Sequence, residues 1–182
     1  MSHRRLLTGA VTLVAALFAA IPAAALACDN ADDIPTADSI SDARDATLCL
    51  LNMERTERGL DKLHSNTRLE RAAQAYSRSM VVNDFFNHVS PGGSTLVSRI
   101  KATRYLNNAN GWMLGENIAW GGSTRATPRE TVEAWMHSAG HKRNILTSSF
   151  DEIGIGVAIG APASLPDGMA SATYTTDFGQ RG

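Results

Sequence analysis

Between residues 153 and 160 the chain reads "IGIGVAIG", with Ile153, Ile155, Val157 and Ile159 alternating with Gly154, Gly156, Ala158 and Gly160. A period of two is the signature of a β-strand. One face of this strand is branched and apolar, the other nearly bare. Glycine weakens a strand interior unless another part of the chain has to come close there, so the bare face predicts a helix or another chain lying directly on the backbone. Two prolines and Asp167-Gly168 make residues 161 to 171 a loop, and Ala172 to Phe178, rich in Thr and Tyr, reads as the returning strand. A fold for this chain therefore packs other elements on an antiparallel pair.

The covering elements precede it. Leu69, Ala72, Ala73, Tyr76 and Met80 recur at helical spacing, with Arg68, Glu70, Arg71 and Arg78 largely on the other side. Ser41 to Arg58 also reads as a helix, stopped by Gly59. Ser90-Pro91-Gly92-Gly93 is a turn cluster, after which Ser94 can cap a short helix presenting Leu96 and Ile100. In Thr127-Pro128-Arg129-Glu130 the threonine can accept from the third-position amide, the glutamate can reach back, and the proline fills the first helical position. That helix presents Val132, Trp135 and Met136, and Gly140 is expected to end it. Helices first and an antiparallel pair last predict an α+β fold.

Residues 1–27 read as an export signal: Arg4 and Arg5, an apolar run from Leu6 to Ala20, and Ala25-Leu26-Ala27 as the cleavage pattern. Residues 28–45 read as an acidic N-terminal arm and 46–182 as one domain, with no membrane span in the mature chain. The product is expected outside the cell, with a lipid anchor on Cys28 as the alternative. Removing the signal takes two of the 17 basic residues and none of the 18 acidic ones, leaving 15 against 18, a net charge of −3 that argues against nucleic acid. An even cysteine count in an exported chain predicts a disulfide from Cys28 to Cys49 that pins the arm to the body.

The catalytic motifs that the sequence brings to mind are incomplete. His137 and His141 are four apart, but a zinc-protease helix needs a glutamate after the first histidine, and Ser138 stands there. No serine sits in a Gly-x-Ser-x-Gly elbow. What stands out is a set of polar groups at predicted element boundaries: His88 before the turn cluster, Glu116 between Gly115 and Asn117, and His141 after Gly140.

The stretches "HVSPGG" (88–93), "GENIAWG" (115–121), "WMHSAGHKRNIL" (135–146) and "FDEIGIGVA" (150–158) resemble, in order and spacing, the bacterial branch of the secreted CAP superfamily, which includes cysteine-rich secretory proteins and plant pathogenesis-related proteins of class 1. The resemblance runs from about Ala46 to Gly179. It implies a three-layer α-β-α sandwich with a small antiparallel sheet, and a shallow cleft in which His88, Glu116 and His141 match the cleft residues. Animal and plant members carry a second glutamate three positions after the helix tryptophan; here Ser138 occupies that place, and His137 or Ser138 would have to complete the cleft. Asn117, Trp120 and Asn144 are expected to support it.

Two readings of that trio stay open. Two neutral imidazoles and a carboxylate are a plausible set for a divalent metal, zinc first, held weakly or conditionally with an open position for water. The same groups could form a metal-free hydrogen-bonded cluster. The resemblance accordingly implies a monomeric, non-catalytic extracellular binding module for a small amphipathic ligand or a cell-envelope component, with a metal-dependent hydrolase or protease as the alternative.

Overall fold

The computed structural model describes residues 28–182. The expected signal peptide lies outside the described residues. In chain order the elements are α1 (Ile40–Thr56), β1 (His64–Ser65), α2 (Thr67–Val82), α3 (Leu96–Ala102), β2 (Trp112–Gly122), α4 (Pro128–Met136), α5 (Ala139–Ile145), β3 (Glu152–Ile159) and β4 (Ser171–Arg181). The sheet order is β1-β3-β4-β2, antiparallel throughout except for the two-residue β1, which runs parallel to β3.

The bare face of β3 is where α2 lies. A Cβ placed on Gly154 would meet the Leu69 backbone at 2.0 Å, and one on Gly156 the Ala73 backbone at 2.3 Å. Side chains at these two positions would lift the helix off the sheet. Ser77, one turn further along α2, donates to the Gly156 carbonyl oxygen and to Thr175 on β4. On the opposite face Ile153, Ile155 and Val157 join Leu50, Leu51, Trp135 and Phe178 in the main core, under α1, α4 and α5. The result is the sandwich that the family resemblance implied: helices α2 and α3 on one side, α1, α4 and α5 on the other. Full burial of each large apolar side chain in it contributes about 1.5–3 kcal/mol.

The predicted strand and helices form, and their ends differ in instructive ways. Thr95, not Ser94, caps α3, in a reciprocal pair with Ser98. Thr127 does accept from the Glu130 amide, with Pro128 opening α4. Gly140 does not end that helix: α4 stops at Met136, and Gly140 lies inside α5, open to solvent. Residues 40–45 of the acidic arm are the first turns of α1. The remainder is tied down by the Cys28–Cys49 disulfide, with Cα atoms 5.8 Å apart, and by Arg129, whose guanidinium donates to both Asp32 carboxylate oxygens.

Two features had no sequence reading. β2 is an eleven-residue strand at the edge of the sheet. The carbonyl oxygens of Glu116 and Ile118 on this strand accept from Asn144 and from the Trp135 indole. Side chains from the helical layer thus cap its backbone, as edge strands require. Arg55 on α1 is wholly buried and forms no salt bridge among the described residues; it donates to the carbonyls of Asp61, Ile145, Thr147 and Phe150 and so clamps the chain between α5 and β3. Burial holds its pKa below the ordinary arginine value.

Candidate functional site

Glu116 is not at an element boundary. It sits in the middle of β2, paired across the sheet with Asp177 of β4, and its side chain points to the α2 face. There its two oxygens are divided between two partners. Oε1 accepts from Nδ1 of His88 at 2.8 Å, and Oε2 accepts from Nη2 of Arg99 on α3 at 2.5 Å. The carboxylate is only 3% exposed, whereas the His88 side chain is 53% exposed. One buried acid therefore orients an open imidazole: a carboxylate can only accept, so Nδ1 of His88 donates to it and Nε2 takes no part in the bond.

Arg99 organises this arrangement. Its guanidinium lies 3.4 Å above the centre of the Tyr76 ring, close enough for a cation–π interaction. Nη1 donates to the carbonyls of His88 and Ser94, fixing the loop that carries the histidine. Tyr76 in turn donates to the Asn87 carbonyl oxygen, so the segment next to His88 is held from two sides. Beneath the pair lies Asp177, fully buried, with no hydrogen-bond partner on either oxygen. Burial, reinforced by the neighbouring Glu116 charge and only partly offset by Arg99, pushes its carboxyl well above the usual range.

His141 reaches the same region from the helical layer on the other side. Asn117 donates to its carbonyl oxygen, and Asn144 donates to both the Asn117 side chain and the Glu116 carbonyl, so α5 is latched to β2 beside the carboxylate. His141 is half-buried. Burial first, and the nearby charge of His88 second, lower its pKa, which keeps it neutral at pH 7.

The remaining expected residues fall into place differently. His137 caps α4, is exposed, and uses Nδ1 to donate to the Glu133 carbonyl oxygen. Ser138 precedes α5 without a side-chain capping bond. Trp120 is 38% exposed, further along β2 than Glu116. Asn117 and Asn144 form the latch just described.

Sequence reading missed Arg99, Tyr76 and Asp177. Tyr76 was read only as part of a core stripe. Arg99 precedes Ile100 on a short helix, where a cation passes for a surface residue. Asp177 left the clearest trace: a lone acid in a strand otherwise built of Ala, Thr, Tyr and Phe.

Among the described residues no three His, Cys, Asp or Glu side chains converge at ligand spacing. Glu116 is turned to Arg99, and a guanidinium at 2.5 Å competes with any cation for that carboxylate. No Ser, Thr or Cys side chain is hydrogen-bonded to either imidazole among the described residues.

Residues 48–165 match the Cysteine-rich secretory protein family, CAP. The chain is 37% identical over 107 residues to the uncharacterized protein YkwD of Bacillus subtilis, covering 59% of this chain and 39% of that protein. It is 31% identical over 110 residues to the uncharacterized membrane protein YlbC of the same species, covering 60% and 30%. The chain thus spans less than half the length of these curated relatives. Among solved structures, an extracellular protein containing an SCP domain from Bacillus anthracis superposes with a TM-score of 0.62 at 24% identity, covering 79% of this chain and 43% of that one. An outer surface protein of Borrelia burgdorferi superposes with a TM-score of 0.59 at 22% identity, covering 82% and 97%. Both likenesses speak to fold.

Proposed function

Since the chain belongs to the cysteine-rich secretory protein (CAP) family, we propose that it is a non-catalytic extracellular binding module whose cleft, centred on His88 and His141, takes a component of the cell envelope. The observation that carries this reading is the division of Glu116 between His88 and Arg99. A carboxylate so engaged is poorly placed to act as a general base, because both of its oxygens already accept hydrogen bonds from protein groups. It is well placed to fix a recognition surface: Glu116 sets the exposed ring of His88, and Asn117 and Asn144 set α5, which carries the half-buried His141. Such a pair suits sugar hydroxyls, amides or phosphate groups. In this reading Glu116 acts by positioning the imidazole.

Two measurements test it. Co-sedimentation of the protein starting at Cys28 with purified cell-wall material and with lipid vesicles should give retention that His88→Ala and His141→Ala reduce at least several-fold. If the wild type is retained no better than a denatured control, the reading is lost. Zinc calorimetry on metal-stripped protein at neutral pH decides the chemistry of the cleft. Stoichiometric binding abolished by either histidine variant would replace the hydrogen-bonding cleft by a two-histidine metal site.

A further inference from the structure

A second cavity, of about 390 Å³, opens between α2 and α3. Its volume falls in the range of roughly 300–1,000 Å³ typical of small-molecule pockets. Its walls include Ala72, Ala75 and Tyr76 from α2 and Ala102 from α3. Hydroxyl groups also line it, but they are already engaged. Ser90 accepts from the Ser94 amide, Ser98 both accepts from and donates to the Thr95 backbone, and Ser94 pairs with Ser98. Ser79 accepts from Asn83, and Thr103 donates to the Ile100 carbonyl. These bonds close turns and helix ends, and apolar side-chain surface makes up the greater part of what a ligand meets.

Charge completes the description. No acid lines the cavity, and two arginines do. Arg99 is neutralised by Glu116 and lies over Tyr76. Arg71 is exposed, and among the described residues it makes no salt bridge. A mainly apolar chamber with one uncommitted guanidinium selects a molecule with an apolar body and a single negative head. The helix along one wall has seven residues, about 10 Å of helix, which favours a compact ring system over a long extended chain.

We propose that the α2–α3 cavity is a binding site for a compact amphipathic anion, an aromatic or alicyclic carboxylate, with Arg71 as the headgroup contact. This deepens the binding reading above by adding a site that uses neither histidine. Occupancy would also be felt in the cleft, because Arg99 is both a wall of the cavity and the clamp on Glu116.

The test is fluorescence or calorimetric titration of the protein starting at Cys28 with 2-naphthoate, and with 2-naphthol as the uncharged probe of the same shape. Naphthoate should bind at least five-fold more tightly than naphthol. Arg71→Gln should erase that preference while leaving naphthol unchanged. Ala75→Phe, at an exposed helix position, should fill the cavity and remove both. Ala102→Phe fills it from the opposite wall and serves if the first variant does not fold. His88→Ala should leave both probes bound, which separates failure of this site from failure of the histidine cleft. Equal affinity for the two probes, or wild-type affinity in a folded cavity-filled variant, overturns the proposal.

Discussion

Asp177 and Glu116 face each other across β4 and β2 as two carboxyls on the same side of the sheet, one with both oxygens hydrogen-bonded and the other with neither. Two like charges are not held easily in a buried site, and Arg99 is the cation set against them. Burial and the neighbouring Glu116 charge both favour the protonated form of Asp177.

The consequence is a pH dependence of defined sign. The folded-state pKa of Asp177 is raised above its unfolded value of about 3.8, so the folded protein binds the extra proton. The associated stability is fully present below the unfolded value. It is lost as pH rises through the interval up to the folded value. Asp177→Asn abolishes this titration. Its melting temperature should therefore gain on the wild type as pH increases above 4, by roughly 3 °C for each pH unit of that interval. Thermal melts from pH 4 to 8 check this; a difference that does not vary with pH would mean that Asp177 is ionised in the folded state.

Removing Arg99 should be costly for the opposite reason. Arg99→Met leaves Glu116 buried without its cation and takes the guanidinium off Tyr76. Breaking a buried pair from one side costs about 3–5 kcal/mol, and Glu116→Gln in the same chain should recover part of it. Urea unfolding of the four proteins of the cycle measures the coupling; simple additivity of the two changes would show that the pair is not a unit.

How far the sequence reveals this architecture depends on whether a residue's role is local. The glycine alternation of β3 and the α2 stripe are periodic signals: the first predicts a close approach by a helix or another chain, and in the structure that partner is α2. The helix start at Thr127-Pro128 is equally local. β2 stayed hidden because "WMLGENIAWGG" has no clean alternation: its faces are shared between a polar cluster, three apolar clusters and solvent. Arg99 and Asp177 stayed hidden because their roles turn on Glu116, and for Arg99 also on Tyr76, more than fifteen residues away in sequence. His88, Glu116 and His141 were visible through motif wording, but only the coordinates reveal that Glu116 is shared with an arginine.

The arm depends on its covalent tether. The disulfide closes a 21-residue separation, and Cys28 and Ala31 are buried against the main core. Reduction, or the Cys28→Ser, Cys49→Ser pair, should cost about 3 kcal/mol in the chain-entropy model. Differential scanning calorimetry with and without reductant reads the change. An unaltered transition would mean that the Arg129–Asp32 contacts suffice to hold the arm.

The contrast between glycines is the sharpest test of the fold. At Gly154 and Gly156 a methyl group would sit 2.0 to 2.3 Å from the backbone of α2, which cannot retreat without uncovering the core behind it. Alanine at either position should destabilise by more than the 1–3 kcal/mol typical of overpacking, because the atoms in the way are main chain. Gly140 is the control, being inside α5 with nothing near its absent Cβ. Alanine there should stabilise by up to about 1 kcal/mol through helix propensity alone. Equilibrium unfolding of the three single variants should therefore split in sign. Gly156→Ala at wild-type stability would require α2 to sit further from β3 than described, and the cleft that Tyr76 and Arg99 build on that helix would have to be redrawn with it.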